Sequence, residues 1–266
     1  MTVFKTNDYR SYIGIIEKED SDSISVKTYK GDSFTFANSS ILLTFPFTGR
    51  IKNGRLQRRD PNSSFYLFSS SAFAIENGKL YCRDFCLFYP SLNYGLANII
   101  SVQAGLFWYP GMDYENTPYV GNLKITAFET NIFSLAAGVT YVSLPVIQEE
   151  RIYSTGFAFV TGTFGNRYNH ASVSAGWGYI QKESEWERED KPILVAAGNL
   201  RLFNSVSFIT ENWFFPDEKI EDSLLTVALR FFGRQIAVDL GATFTANSIQ
   251  EKVAPIPVIN VTYHLR

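Results

Sequence analysis

Glu211, Arg230 and Asp239 lie on three successive segments in which apolar residues alternate with polar or small ones. Side chains in a strand point to opposite faces with a period of two, so the three charges share one polar wall as acid, base, acid. A charge enclosed away from water costs several kcal/mol unless it is paired or wetted. Two roles fit such a set: a brace inside a small, filled interior, or a charged constriction that selects solutes in a narrow water-filled pore. Asn122, Lys124, Asn199, Arg201, Gln235 and Asn260 alternate onto the same wall and complete the candidate lining.

Other chemistry is sparse. His170 and Ser172 would share one side of a strand, the pairing a hydrolase needs, but residues i and i+2 lie about 6.6 Å apart there. That exceeds the reach of a nucleophile and its base unless another strand supplies one member. Catalysis is therefore not expected, and a lipid-modifying enzyme is only a third reading. Cys82 and Cys86, four apart, would sit roughly 13 Å from each other on a strand, too far to bond without a local bend. Either they stay separate, or a bulge or loop lets them pair. The sequence offers no metal-ligand spacing and no phosphate loop between a strand and a helix, so no cofactor or metal is expected. The acidic run Glu183 to Asp190 reads as a solvated loop.

The elements that carry these residues are strands. After the turn at Gly233-Arg234, Ile236, Val238, Leu240, Ala242 and Phe244 continue the apolar face begun by Leu225, Val227, Leu229 and Phe231. Twelve such segments are expected at about 65–75, 79–94, 99–109, 118–129, 131–143, 153–165, 168–180, 191–203, 205–216, 222–233, 234–247 and 255–266, each near the length a tilted strand needs to cross a bilayer. Tight turns (95–98, 129–131, 165–167, 203–204, 233–234) alternate with longer charged loops (111–117, 148–152, 181–191, 216–222, 247–253). Short turns at one end and long loops at the other are the pattern of an antiparallel transmembrane β-barrel.

Before the barrel, strands are expected at 12–19, 23–28, 33–37 and 41–45. The domain reading is a small strand-rich module over 1–48, a basic linker over 49–63 with Arg50, Lys52, Arg55, Arg58 and Arg59, and the barrel over 64–266. The basic stretch would serve as a linker or lie near lipid phosphates.

Composition agrees with this frame. Aromatic residues make up 16% of the 266, high for a domain that is 45% hydrophobic, and the formal charge of -2 recommends no nucleic-acid partner. No apolar run reaches the roughly 18 residues of a spanning helix. The opening Met1-Thr2-Val3-Phe4-Lys5 has no secretory h-region, so an exported protein would carry this sequence as its mature form. Trp108, Tyr109, Tyr141, Trp177, Tyr179 and Trp213 fall where strands run into long loops; Tyr94, Phe128, Phe164, Phe203 and Phe231 fall near short turns. Two such bands are what amphipathic rings form at the two lipid interfaces, whereas a soluble sandwich would place more of them mid-strand.

The phrases Ser91-Leu-Asn-Tyr-Gly-Leu96, Ile100-Ser-Val-Gln-Ala-Gly105, Glu211-Asn-Trp213, Arg230-Phe-Phe-Gly233 and Pro255-Ile-Pro257 resemble outer-membrane barrel proteins of Bacteroidota-type bacteria that carry a small strand-rich segment before the barrel. That resemblance covers nearly the whole chain and implies the outer membrane of a Gram-negative bacterium, but no activity. The expected role is passive: a narrow pore for small solutes or a closed barrel surrounded by outer-membrane lipid. The alternative is an anchoring protein whose N-terminal module docks a periplasmic or outer-membrane partner.

Overall fold

The computed structural model describes residues 1–112, 117–143, 152–182, 185–215, 223–245, 247–248 and 254–265, which fall into two compact units, Met1–Arg59 and Asp60–Arg266. In the first, Thr2–Thr6 (β1), Ser11–Glu19 (β2), Ser23–Thr28 (β3), Ser33–Ala37 (β4) and Ile41–Pro46 (β5) form one antiparallel sheet in the order β4-β3-β2-β1-β5. The strand β1 is an addition to the sequence reading. It pairs with both β2 and β5, which makes its short Val-Phe-Lys alternation structural despite its length. Val3, Phe4 and Val26 supply the small core.

The basic stretch is not a linker throughout. Gly49–Lys52 (β6) and Arg55–Arg58 (β7) form a hairpin. Asn53 and Gly54 turn it with φ of 51° and 69°, the paired left-handed conformation of a two-residue hairpin turn that an Asn-Gly dipeptide supplies at little cost.

The second unit contains a closed antiparallel barrel. Its wall begins with Leu80–Phe85 (β8), Tyr89–Leu96 (β9), Ile100–Leu106 (β10), Tyr119–Glu129 (β11), Phe133–Ser143 (β12), Ile152–Asn166 (β13) and Asn169–Lys182 (β14). Glu185–Arg188 (β15) folds back on the end of β14, and the wall continues with Ile193–Phe203 (β16), Val206–Phe214 (β17), Leu224–Phe232 (β18), Ile236–Phe244 (β19) and Ile256–His264 (β20). Each wall strand pairs with its neighbours and β20 pairs with β8, so twelve strands close with no free edge. Closure satisfies the backbone groups that hydrocarbon would leave unpaired.

The count of twelve agrees with the sequence, but its members do not all agree. Residues 65–75 are not a strand, and the segment 79–94 is two strands joined at 86–88. Cys86 and Leu87 turn there with φ of 55° and 63°, a conformation costly for side chains of their kind and hence invisible to a search for Gly, Asn or Asp. Both cysteines are free, Cys82 on the outer face and Cys86 in this turn. The acidic run is partly strand, as β15, because its backbone finds the extended end of β14. Most of the expected long loops lie outside the described residues.

The two walls separate as the alternation requires. On the outside, Leu92, Val173, Leu200 and Leu240 are 53%, 60%, 55% and 48% exposed, while Ser134, Thr161 and Ser207 on the inside are fully buried. Apolar outside and polar inside inverts a soluble protein and fits a barrel in lipid. Both ends of the wall, at β8 and β20, lie at the short-turn end, as an even strand number demands. Leu123, near the middle of β11, faces outward between the inward Asn122 and Lys124. Leu123→Arg is expected to cost about 2–4 kcal/mol, read as a lower urea midpoint for the protein in lipid vesicles.

Candidate functional site

The inner wall is polar, yet the lumen is not empty. Residues 60–76 precede the first wall strand and run inside the barrel, with Asp60, Tyr66, Ser71, Ala72 and Ala74 completely buried. The segment enters at the short-turn end, where Nδ2 of Asn62 donates to the Thr262 hydroxyl (3.0 Å) and Oδ1 of Asn62 faces Nε2 of His264 at 2.6 Å. It then reverses at 66–69, where Tyr66 N–H donates to Ser69 C=O, and Phe65 opposes Ser70 in a single bridge. The return leg passes Ser101, whose hydroxyl accepts from Ile75 N–H, and ends at Lys79 beside β9. This is a loose hairpin plug with almost no ladder of its own.

A buried segment without a ladder must find other partners for its N–H and C=O groups. The charged wall residues supply them, each according to its sign. The Glu211 carboxylate accepts from the backbone N–H groups of Leu67, Phe68 and Ser69 at the tip, each 3.0 Å from Oε2. Lys124 Nζ donates to the carbonyls of Ser71 (2.7 Å), Phe73 (2.9 Å) and Ser64 (3.3 Å). Arg230 holds the Asp239 carboxylate through Nε and Nη2 at 2.6 and 3.1 Å. Its remaining reach goes to Asp60 (3.3 Å) and to the carbonyls of Asn62, Phe65 and Tyr66. Asn260 Nδ2 donates to Asp239, and Asn199 Nδ2 donates to Asp60.

The wall also shapes the passage sterically. At Gly95 a Cβ would stand 2.3 Å from the Glu76 carbonyl oxygen and 2.5 Å from that of Ile75. Glycine here lets the return leg lie against β9.

The other expected residues distribute as follows. Asn122 faces inward and donates to the Thr140 hydroxyl at 2.6 Å. Arg201 is buried at the short-turn rim, donating to Asn204 C=O and covering Phe232 at 4.3 Å. Gln235 does not line the lumen: it sits in the turn between β18 and β19, where its carbonyl accepts from His264 N–H. Trp213 does not lie at a membrane interface either. It is two residues from Glu211 and therefore on the same inner face, where its indole N–H donates to Oε1 of Glu211 at 2.8 Å and its ring meets Phe68. Trp108, Tyr109 and Tyr141 are exposed at the long-loop end, and Trp177 and Tyr179 alternate outward from Ser172 and Ser174 on β14.

His170 and Ser172 both face inward but do not bond to each other. The Ser172 hydroxyl meets Tyr66 Oη at 2.6 Å and the Thr163 hydroxyl at 2.7 Å, while the His170 ring packs on Tyr66 and Phe73. Both support the plug. Beyond the tip, toward the long-loop end, a partly enclosed cavity of about 60 Å³ remains, with Arg83, Tyr89, Phe157 and Trp213 among its lining. That is space for a few waters. Arg83, which the sequence reading did not select, donates through Nη2 to the Leu67 carbonyl at the plug tip.

No family model matches the chain, and no curated protein does. Solved structures do. One described as a KdgM porin aligns with 71% of this chain and 99% of its own at a TM-score of 0.50 and 10% identity. The same porin in complex with disordered oligogalacturonate gives the same values. At that identity the likeness is one of fold, and the fold is that of an outer-membrane β-barrel.

Removing either kind of anchor should loosen the plug without opening the wall. Glu211→Ala leaves three N–H groups without their acceptor, at about 1–3 kcal/mol for each one that stays buried. Faster amide hydrogen exchange is expected at residues 66–69, with the wall strands unchanged. Arg230→Ala strands Asp60 and Asp239 and is expected to cost about 3–5 kcal/mol, measured as a lower urea midpoint in vesicles.

Proposed function

We propose that this protein is an outer-membrane channel for small solutes that rests closed, with residues 60–76 as the stopper. One observation carries the reading: the plug is held almost entirely by side-chain hydrogen bonds and ion pairs to the inner wall, with no strand ladder joining the two along its length. Wall strands exchange two backbone bonds at every second residue pair and open only with the barrel. A segment held by separate polar contacts exchanges them for water when it shifts, leaving the ladder intact. The charged wall residues Lys124, Glu211, Arg230 and Asp239 then become the lining of the passage.

The porin likeness supports the architecture of this reading. The location we propose is the outer membrane of a Gram-negative bacterium, of the Bacteroidota type that the sequence phrases resemble, with the short-turn end toward the periplasm. The N-terminal unit enters the proposal through connectivity. Residue 59 leads directly into Asp60, the first plug residue, so a periplasmic partner that grips residues 1–59 would act on the stopper through the chain itself. Deleting residues 1–59 is expected to abolish co-purification of such a partner while the barrel keeps its heat-dependent migration on gels.

The test is conductance in planar bilayers. The full chain is expected to be silent or to open briefly, and a variant whose residues 62–76 are replaced by a short Gly-Ser connector is expected to give steady ohmic steps. A folded plug-less barrel that stays silent, or a full chain that conducts as steadily as the variant, overturns the reading.

A further inference from the structure

Charge is unevenly distributed along this chain. The whole carries 24 Lys and Arg against 26 Asp and Glu, yet from Ser33 to Arg59 there is no acid at all, while Arg50, Lys52, Arg55, Arg58 and Arg59 crowd its end. Folding concentrates them further. In the hairpin register Arg50 stands opposite Gln57 and Lys52 opposite Arg55. Opposed side chains in an antiparallel pair share a face, so Arg50, Lys52 and Arg55 stand together, with Arg59 alternating onto that face at the base. Arg50 Nε donates to Oε1 of Gln57 at 2.9 Å. Lys52 and Arg55 are exposed, and neither side chain bonds to a described residue.

Like charges directly opposite each other destabilise a ladder. This ladder has no neighbour to support it, because β6 and β7 join no other sheet, and a lone two-stranded hairpin is marginal in water. A surface of anions would turn the repulsion into attraction. Two observations say which anions. Arg58 precedes the buried Asp60 by two residues, so the covalent chain holds the hairpin base within about 7 Å of a residue inside the short-turn end of the barrel, the end that meets a headgroup layer. The reverse face of the hairpin carries Ile51 opposite Leu56, and Ile51 is 41% exposed. Cations beside an exposed apolar side chain match a boundary where phosphates border hydrocarbon, which a soluble polyanion does not offer.

We propose that the β6–β7 hairpin docks on the anionic phospholipid headgroups of the leaflet at the short-turn end, with Arg50, Lys52 and Arg55 on their phosphates. This needs only the barrel's place in a bilayer and holds whether or not the barrel conducts.

The test places the full chain in nanodiscs, whose two faces are both open to solvent, and follows amide hydrogen exchange over residues 49–58 by mass spectrometry. Replacing about 30% of the phosphatidylcholine by phosphatidylglycerol is expected to slow that exchange roughly fivefold or more. Salt at about 0.5 M is expected to remove the slowing. The combined variant Arg50→Gln, Lys52→Gln, Arg55→Gln is expected to exchange equally in both lipids; each protein is compared with itself, so a change in hairpin stability alone cancels. Inorganic phosphate or a single-stranded DNA oligonucleotide, added to the full chain in pure phosphatidylcholine discs, is expected to leave exchange unchanged. Gel migration before and after heating confirms the barrel, and the arms on the unaltered chain decide even where the hairpin frays in the variant. No slowing by phosphatidylglycerol in the folded full chain, equal slowing in the variant, or equal slowing by phosphate or by the oligonucleotide each overturns the proposal.

Discussion

The organisation of this barrel depends on one exchange. An irregular segment inside a closed wall brings backbone N–H and C=O groups with no ladder, and the wall brings charges with no water. Each satisfies the other, and sign decides the pairing. The acid Glu211 takes the N–H groups of the tip, while Lys124 and Arg230 take carbonyls along its legs and Arg83 takes one at the tip. Removing either side leaves the other exposed to a large desolvation cost. The plug and the charged wall are thus a single structure, even though they are separated by as many as 170 residues along the chain.

The same exchange explains why a polar inner wall need not mean a water-filled one. A barrel of about this size lies between those filled by side chains and those that leave an aqueous channel. Here the space is filled by main chain, with the small side chains of Ser71, Ala72 and Ala74 fully buried and Gly95 yielding room on the wall. The outer wall faces the opposite demand, and its leucines and valines meet hydrocarbon. One alternation thus serves two solvents.

Contacts of this kind hold firmly while remaining exchangeable. Each is a hydrogen bond or ion pair that water or a mobile ion can replace, whereas the wall ladder cannot open without exposing backbone to lipid. In the proposed channel, that difference between plug and wall would let one element move within another that stays closed.

Much of the fold was legible from sequence because alternation is a local property. The period of two in β18 and β19 puts Arg230 and Asp239 inside and Leu229 and Leu240 outside, whatever the rest of the chain does. The same rule, applied to β17, puts Trp213 inside with Glu211; reading it as an interface ring weighed its place near a loop above its phase in the strand. Residues 65–75 carried a signal too. Phe65-Tyr-Leu-Phe68 followed by three serines does not alternate, so it cannot serve a wall with two different solvents. What no local pattern could supply is the destination of that segment or the partners of each charge. Those depend on which groups meet across the closed barrel, and only closure brings β8, β11, β17 and β18 around one stretch of chain. The sequence by itself determined the two walls, since each strand writes its own alternation; the tertiary structure alone decided what fills the space between them, since that is settled by pairing across the lumen.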